Sequence, residues 1–236
     1  MEAAVRHVVI TGAAGALGRA VASRFAGEGC RLALIDHKLQ HLQSVFAHPD
    51  ADGGMLLREA DVTSGSAMAA TGAEILDTFG AVDVVVHVAG GFEMGEATHA
   101  ISRESWTRMM DLNAWSFIAV TRPFIPAMLA RGSGKVIAVT ARSASAGVAS
   151  MGAYCASKSA LQRLVESLSR EVRGAGINVN SIAPGVLDTP ANRRDMPNAD
   201  PSQWVSTGSA ARMVALLASE AAAAVHGQHL VLDGLS

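Results

Sequence analysis

Tyr154 and Lys158 lie four residues apart in the run Gly152-Ala153-Tyr154-Cys155-Ala156-Ser157-Lys158-Ser159-Ala160. The run opens a helical pattern, so both side chains leave one helix face. An ammonium beside a phenol favours the phenolate and draws the tyrosine pKa down from about 10. The pair is therefore a candidate proton-transfer device. A plain surface pair shares this spacing, so the elements that would position it carry the argument.

Val8-Val9-Ile10 is a β-branched run that reads as a strand. Thr11-Gly12-Ala13-Ala14-Gly15-Ala16-Leu17-Gly18 follows, and an apolar helix then begins with Ala20, Val21 and Phe25. Strand, glycine turn and helix together aim helix N–H groups at a pyrophosphate. Arg31 to Asp36 reads as the next strand and ends in an acid about twenty residues past the turn, where a carboxylate accepts bonds from a ribose diol. A carboxylate there repels the extra phosphate of NADP, so NAD(H) is favoured. NADP(H) stays possible because His37 and Lys38 adjoin the acid.

The chain has 236 residues, half of them hydrophobic, enough for one large α/β domain. A formal charge of -2 argues against nucleic acid or an anionic membrane as the main partner. No signal peptide and no bilayer-spanning apolar run are visible. Cys30 and Cys155 lack metal spacing and suit a reducing compartment, so the cytoplasm is expected. The eight histidines are scattered and show no ligand pattern, so no metal is expected.

Strands read at about 5–10, 31–36, 54–60, 82–88, 134–140, 176–182 and 229–232, with helices near 16–28, 38–47, 65–78, 103–130, 151–173 and 208–218. Alternation of this kind predicts a doubly wound sheet of seven parallel strands with helices on both faces. Pro123 and Pro126 should bend or interrupt the long helix. Residues 188–206 read as a mobile loop over a site, within one domain spanning 1–236.

The chain resembles the short-chain dehydrogenases/reductases over essentially its whole length. The likeness rests on Thr11-Gly12 with Gly15 and Gly18, Asp61-Val62-Thr63, Ala89-Gly90, Asn113, Tyr154 with Lys158, Asn178-Val179-Asn180, Pro184-Gly185, Thr189 and Asp233-Gly234. It implies a single-domain Rossmann fold and an NAD(P)-dependent oxidoreductase acting on a small molecule. In that family Tyr154 would exchange a proton with the substrate oxygen. Lys158 would hold the nicotinamide ribose and lower the tyrosine pKa. Asn113 would keep its helix open to a relay water. Gly12, Gly15, Ala16, Leu17 and Gly18 would hold the phosphates and Asp36 the ribose. Asp61 and Val62 would flank the adenine, and Ala89 and Gly90 would line the cleft. The stretch Pro184, Gly185, Leu187, Thr189 would bind the nicotinamide amide. The helices carrying Asn113 and Tyr154 would pair with their copies in a homodimer or homotetramer.

Three departures from the family pattern stand out. Ala16 occupies a usual glycine position, tolerable if Gly15 takes up the turn. His87-Val88-Ala89-Gly90 replaces Asn-Asn-Ala-Gly, so an amide that ties strands together is gone. The family's serine falls thirteen residues before the tyrosine, at Ala141; Ser143 would share its direction only if the segment stays extended. That serine stabilises a developing oxyanion, typically by a few kcal/mol. Dihydropteridine reductase, one branch of the family, also has alanine there. It shares Val88-Ala89-Gly90-Gly91 and a late segment like Leu187 to Asp200 with Trp204. A conjugated acceptor spreads the developing charge, so a quinonoid or dihydropterin-like acceptor is the leading expectation. A small ketone or alcohol is the runner-up, and a non-catalytic dinucleotide sensor the alternative of another class. Trp106 and Trp115 read as core or subunit contacts, Trp204 as core or substrate contact, Arg142 as an anion ligand or a solvated strand end, and Arg193, Arg194 and Asp195 as a solvated loop face.

Overall fold

The computed structural model describes residues 5–46 and 54–235. Residue 47, the last of the expected helix 38–47, lies outside these stretches.

 The chain forms β1 (His7–Thr11), α1 (Ala16–Ala26), β2 (Arg31–Asp36), α2 (Leu39–Val45), β3 (Met55–Glu59), α3 (Gly65–Phe79) and β4 (Val84–His87) in its first half. There follow α4 (Arg103–Met110), a π-helical turn at Asp111–Trp115, α5 (Ser116–Thr121), α6 (Ile125–Arg131), β5 (Gly134–Val139) and α7 (Gly152–Val172). The chain then runs through β6 (Ile177–Pro184), β7 (Leu187–Asp188), α8 (Pro190–Asp195), β8 (Val205–Ser206), α9 (Thr207–Leu217) and β9 (His229–Leu232).

The seven expected strands make one sheet in the order β3-β2-β1-β4-β5-β6-β9, every neighbouring pair parallel. The order reverses between β1 and β4, which opens a crevice above their carboxyl ends, where open α/β sheets bind ligands. Strands buried on both faces must read as continuous apolar runs. Val8-Val9-Ile10 and Val84-Val85-Val86 do so, and all six residues are fully buried or nearly so. One face of the sheet is covered by a core that includes Val21 and Phe25 of α1 and Val214 of α9. The other face holds Ile75 of α3, Phe117 of α5 and Leu161 and Val165 of α7. Asn180 ties the edge strand in: its amide nitrogen donates to the Val225 carbonyl at 2.8 Å, and its oxygen accepts from the Gln228 N–H at 2.9 Å.

Two expectations need correction. The long helix at 103–130 is three helices. The unforeseen break is a π-helical turn at Asp111–Trp115; the break at Pro123, which has no N–H to continue the ladder and separates α5 from α6, is the one expected, while Pro126 sits in the first turn of α6. The stretch 188–206 carries regular structure. Thr189 caps α8 by accepting the Asn192 N–H at 3.2 Å, Pro190 occupies the first turn, and β7 pairs with β8. A threonine cap followed by proline is a helix-start signal that apolar periodicity does not register.

The tryptophans also separate. Trp204 is buried, whereas Trp106 and Trp115 are partly exposed and outside the core. The Trp115 indole N–H donates to the Thr63 carbonyl at 2.9 Å.

Candidate active site

The carboxyl ends of β4 and β5 meet the first turns of α7 and the π-helical turn. Lys158 is buried, and its ammonium donates to the Val139 carbonyl at 2.9 Å. Asn113, fully buried, donates from its amide nitrogen to the Gly91 carbonyl and to the Ser157 hydroxyl, both at 3.0 Å. Its side-chain oxygen accepts the Gly91 N–H at 3.0 Å. Ser157 in turn donates to the Tyr154 carbonyl at 2.8 Å. Gly90 fits between these groups because it has no side chain: a Cβ there would stand 2.7 Å from the Asn113 oxygen and 3.1 Å from the Lys158 nitrogen. The ring of Tyr154 meets Phe92 edge-on, with centroids 4.9 Å apart. Among the described residues the Tyr154 hydroxyl makes no hydrogen bond, which leaves it available to a substrate.

Burial governs the charges in this cluster. It pushes the Tyr154 phenol up to about 12, with Cys155 adding to the rise, and pushes the Lys158 ammonium down to about 8. The expected lowering of the tyrosine by the lysine is absent from this arrangement. Desolvation of the phenol sets the direction, and the lysine, whose ammonium is engaged with the Val139 carbonyl, adds no lowering. Tyr154 is a protonated phenol at neutral pH, as an ordinary tyrosine would be, and burial alone makes it a weaker acid than that.

The serine position is settled locally. Ala141 is extended, with φ -155° and ψ 155°, and then Arg142–Ala144 coils into a 3-10 turn. The extended path that would have aligned Ser143 with Ala141 is not taken. Thr140 is committed elsewhere: its hydroxyl donates to the Ile182 carbonyl at 3.0 Å. Arg142 pairs with Asp233 at 3.1 Å.

His87 replaces the missing amide. One ring nitrogen lies 2.9 Å from the Thr11 hydroxyl on β1, the other 3.0 Å from the Ser116 hydroxyl on α5. The strand-to-strand tie is therefore kept by an imidazole. Burial, reinforced by the Lys158 charge, lowers its pKa to about 3, so the ring is neutral.

A groove of about 740 Å³ runs over the crevice, within the range of small-molecule and cofactor sites. Of the expected contacts, Gly12, Gly15, Ala16, Leu17, Gly18, Asp36, Asp61, Val62, Ala89, Gly90 and Thr189 line it. Gly12 has φ +65°, and a Cβ there would lie 2.8 Å from the Ala89 nitrogen, so the turn and the end of β4 approach as only glycine allows. Gly15 caps α1 and donates its N–H to the Gly12 carbonyl at 3.1 Å, which leaves Ala16 as an ordinary first helical residue. Asp36 is held in place, its oxygens accepting the Ala14 N–H at 3.0 Å and the His37 N–H at 2.9 Å.

Tyr154, Lys158, Asn113, Pro184, Gly185 and Leu187 are not part of this lining. Lys158 and Asn113 converge on Gly90, which is part of it. Gly185 is fastened to β9 through the Leu232 carbonyl at 2.8 Å, and Leu187 pairs with Val205. The structure adds Arg19, His41 and Arg194 to the groove. Arg193 pairs with Asp188 at 2.6 Å, but the next residue lines the groove. The Thr189-Pro190 helix start was the signal that could have placed Arg194. His37 and His41 stand beside Asp36, and the three offer ligand atoms within 4.8 Å of one another, a grouping the scattered histidines did not reveal.

A doubly wound parallel sheet with a glycine turn at its switch point and a buried Tyr-Lys-Asn cluster defines a dinucleotide-dependent oxidoreductase architecture. Residues 6–200 match the family model described as short chain dehydrogenase. The chain belongs to the short-chain dehydrogenase/reductase family and is an NAD(P)-dependent oxidoreductase. It is 31% identical over 244 residues to 2-(R)-hydroxypropyl-CoM dehydrogenase of Xanthobacter autotrophicus, covering 97% of each chain. It is 31% identical over 186 residues to an NADPH-dependent pterin aldehyde reductase of Arabidopsis thaliana, covering 79% of this chain and 76% of the relative. The crystal structure of levodione reductase superposes with a TM-score of 0.89 at 26% identity, covering 97% of this chain and 96% of that one. No helix among the described residues is long and apolar enough to cross a membrane.

Proposed function

We propose that this chain transfers hydride between NAD(H), in preference to NADP(H), and a small conjugated acceptor of the quinonoid or dihydropterin-like class. The observation that carries the reading is Ala141. It occupies the family's serine position, Thr140 is committed to the Ile182 carbonyl, and Ser143 lies in a 3-10 turn. An isolated ketone would lack the hydroxyl that family members aim at its oxygen. An acceptor whose developing charge is already delocalised has less use for one.

The groove suits a dinucleotide. The turn from Gly12 to Gly18 would face its phosphates, the Asp36 carboxylate its adenosine ribose, and Asp61 and Val62 its adenine. Pro184, Gly185, Leu187 and Thr189 would border the nicotinamide amide, with 188–206 shaping the substrate side. When bound, the nicotinamide supplies or accepts the hydride. Tyr154, protonated at neutral pH, donates the proton in the reducing direction. Lys158 supplies positive charge beneath Gly90 and would meet the nicotinamide ribose. Asn113 spends its amide on Gly91 and Ser157, so it organises the site and does not touch substrate. Partly exposed Trp106 and Trp115 support a homodimer or homotetramer built on the α4–α5 and α7 faces.

A second reading, an ordinary ketone reductase or alcohol dehydrogenase, is favoured by the hydroxypropyl-CoM dehydrogenase relative. NADH oxidation by the purified chain separates the two, run with a quinonoid dihydropterin beside a ketone panel and repeated with Tyr154→Phe. Dihydropterin turnover that falls at least 100-fold in the variant, with NADH still bound, supports the first reading. Turnover of ketones alone replaces it with the second.

A further inference from the structure

We propose that Asp36, His37 and His41 form a divalent transition-metal site of the class taken by Zn2+, Co2+ or Ni2+, and that metal and dinucleotide exclude one another there. The site rests on the three side chains alone. The exclusion rests on the proposed reading of the groove.

The carboxylate is already fixed. Asp36 is buried at the end of β2, with the Ala14 and His37 N–H groups on its two oxygens. Hydrogen bonds of this kind orient a ligating carboxylate and limit the reorganisation that binding would require. The His37 imidazole stands 2.7 Å from the same carboxylate, its side chain 64% exposed. His41, in the first turn of α2, places its ring edge-on to His37 with centroids 5.5 Å apart. An Asp–His pair would account for His37 but gives no reason for His41 to join it.

One ligand atom from each residue lies within 4.8 Å of the other two. Ligands about 2.1 Å from a tetrahedral ion stand about 3.4 Å apart, so the most widely separated pair must close by up to about 1.4 Å. Exposed imidazoles can make that movement, and the fixed carboxylate gives them a common centre. Two imidazoles and one carboxylate suit Zn2+, Co2+ or Ni2+ better than Mg2+ or Ca2+, which take mostly oxygen ligands. Three protein ligands leave a fourth position for water.

The consequence follows from sharing. Asp36, His37 and His41 all line the groove, and Asp36 is the carboxylate assigned to the ribose diol. A metal on that carboxylate would remove the ribose acceptor, and a ribose there would remove the metal's anionic ligand. Tyr154, Lys158 and Asn113 are outside the cluster, so the metal would act on dinucleotide affinity and not on proton transfer.

The test uses the full chain after chelator treatment, titrated with Co2+ and followed by visible absorption, with NADH binding followed by fluorescence. The expected result is one equivalent of Co2+ with the d–d bands of a low-coordinate nitrogen and oxygen site. Binding should weaken at least tenfold in His41→Gln and in His37→Gln, and NADH should displace the ion. Absence of d–d bands at stoichiometric Co2+ overturns the site, as does Co2+ affinity in both variants unchanged from the wild type. Simultaneous occupancy by Co2+ and NADH overturns the exclusion. Failure of the metal-free chain to bind NADH at all counts against the dinucleotide reading, and the Co2+ titration reports the site independently of it.

Discussion

The ammonium of Lys158 rests 2.9 Å from the Val139 carbonyl, at the carboxyl end of β5 and inside the protein. A cation in that position sits at the edge of two demands. Its charge serves the site beneath Gly90, while its burial opposes that charge and lowers the pKa from 10.5 to about 8. Function and stability are therefore set against one another at a single residue.

Lys158→Met should separate them. The unfolded chain binds the proton up to 10.5 and the folded chain only up to about 8, so the penalty is full below pH 8 and is relieved as pH rises toward 10.5. Wild-type stability relative to Lys158→Met should rise by up to about 3 kcal/mol across that window. Urea unfolding of both proteins at pH 7.5, 9 and 10.5 (roughly the window's start, middle and end) checks the sign. Parallel pH profiles would show that Lys158 is not the group responsible.

His87 gives a second window of the same sign, on the acid side. Burial holds its pKa near 3, against 6.5 in the unfolded chain, so the unfolded state takes up a proton first as pH falls. Stability is intact above 6.5 and is lost progressively between 6.5 and 3. At about pH 5 the loss should be roughly 2 kcal/mol, and His87→Asn, which cannot titrate, should not show it. Denaturant midpoints of both proteins at pH 7 and pH 5 measure the difference.

Much of this was legible in the sequence for a physical reason. Central strands such as Val84-Val85-Val86 read as apolar runs because a parallel sheet covered on both faces leaves little polar alternation, whereas β6 alternates through the buried Asn178 and Asn180. The glycine turn read correctly because Gly12 closes on Ala89 where a side chain cannot fit. Tyr154 and Lys158 share a face by helical spacing alone. What did not read out was set by tertiary context. The direction of the Tyr154 shift depends on how deeply the ring is buried. The His87 bridge depends on Ser116 arriving from a helix 29 residues later. Arg194 and His41 reach the groove only once α8 and α2 are folded beside it.

Asp36 should govern the choice between dinucleotides. Asp36→Ala removes the ribose acceptor and the charge that repels a 2′-phosphate. NADH affinity should fall at least tenfold, and the NADH-over-NADPH preference should shrink by a larger factor. Titration of both nucleotides by fluorescence measures the two ratios. An unchanged preference would place discrimination on other residues of the groove.

Arg194 should strengthen dinucleotide binding by charge. It lines the groove from α8, a helix fixed by the Thr189 cap and by the Arg193–Asp188 pair at 2.6 Å. A guanidinium here would attract the pyrophosphate through exposed, screened electrostatics. Arg194→Ala should therefore raise the NADH dissociation constant by roughly threefold to tenfold at low salt, a range typical of one charge-assisted contact near solvent. The difference between the two proteins should shrink as ionic strength rises, because the same screening removes the arginine's contribution. Dissociation constants at about 20 mM and 500 mM salt, where the Debye length falls from roughly 20 Å to 4 Å, test this. A penalty that persists at high salt would mean that Arg194 acts by holding α8 in place, and Arg194→Lys, which keeps the charge, would then fail to restore affinity.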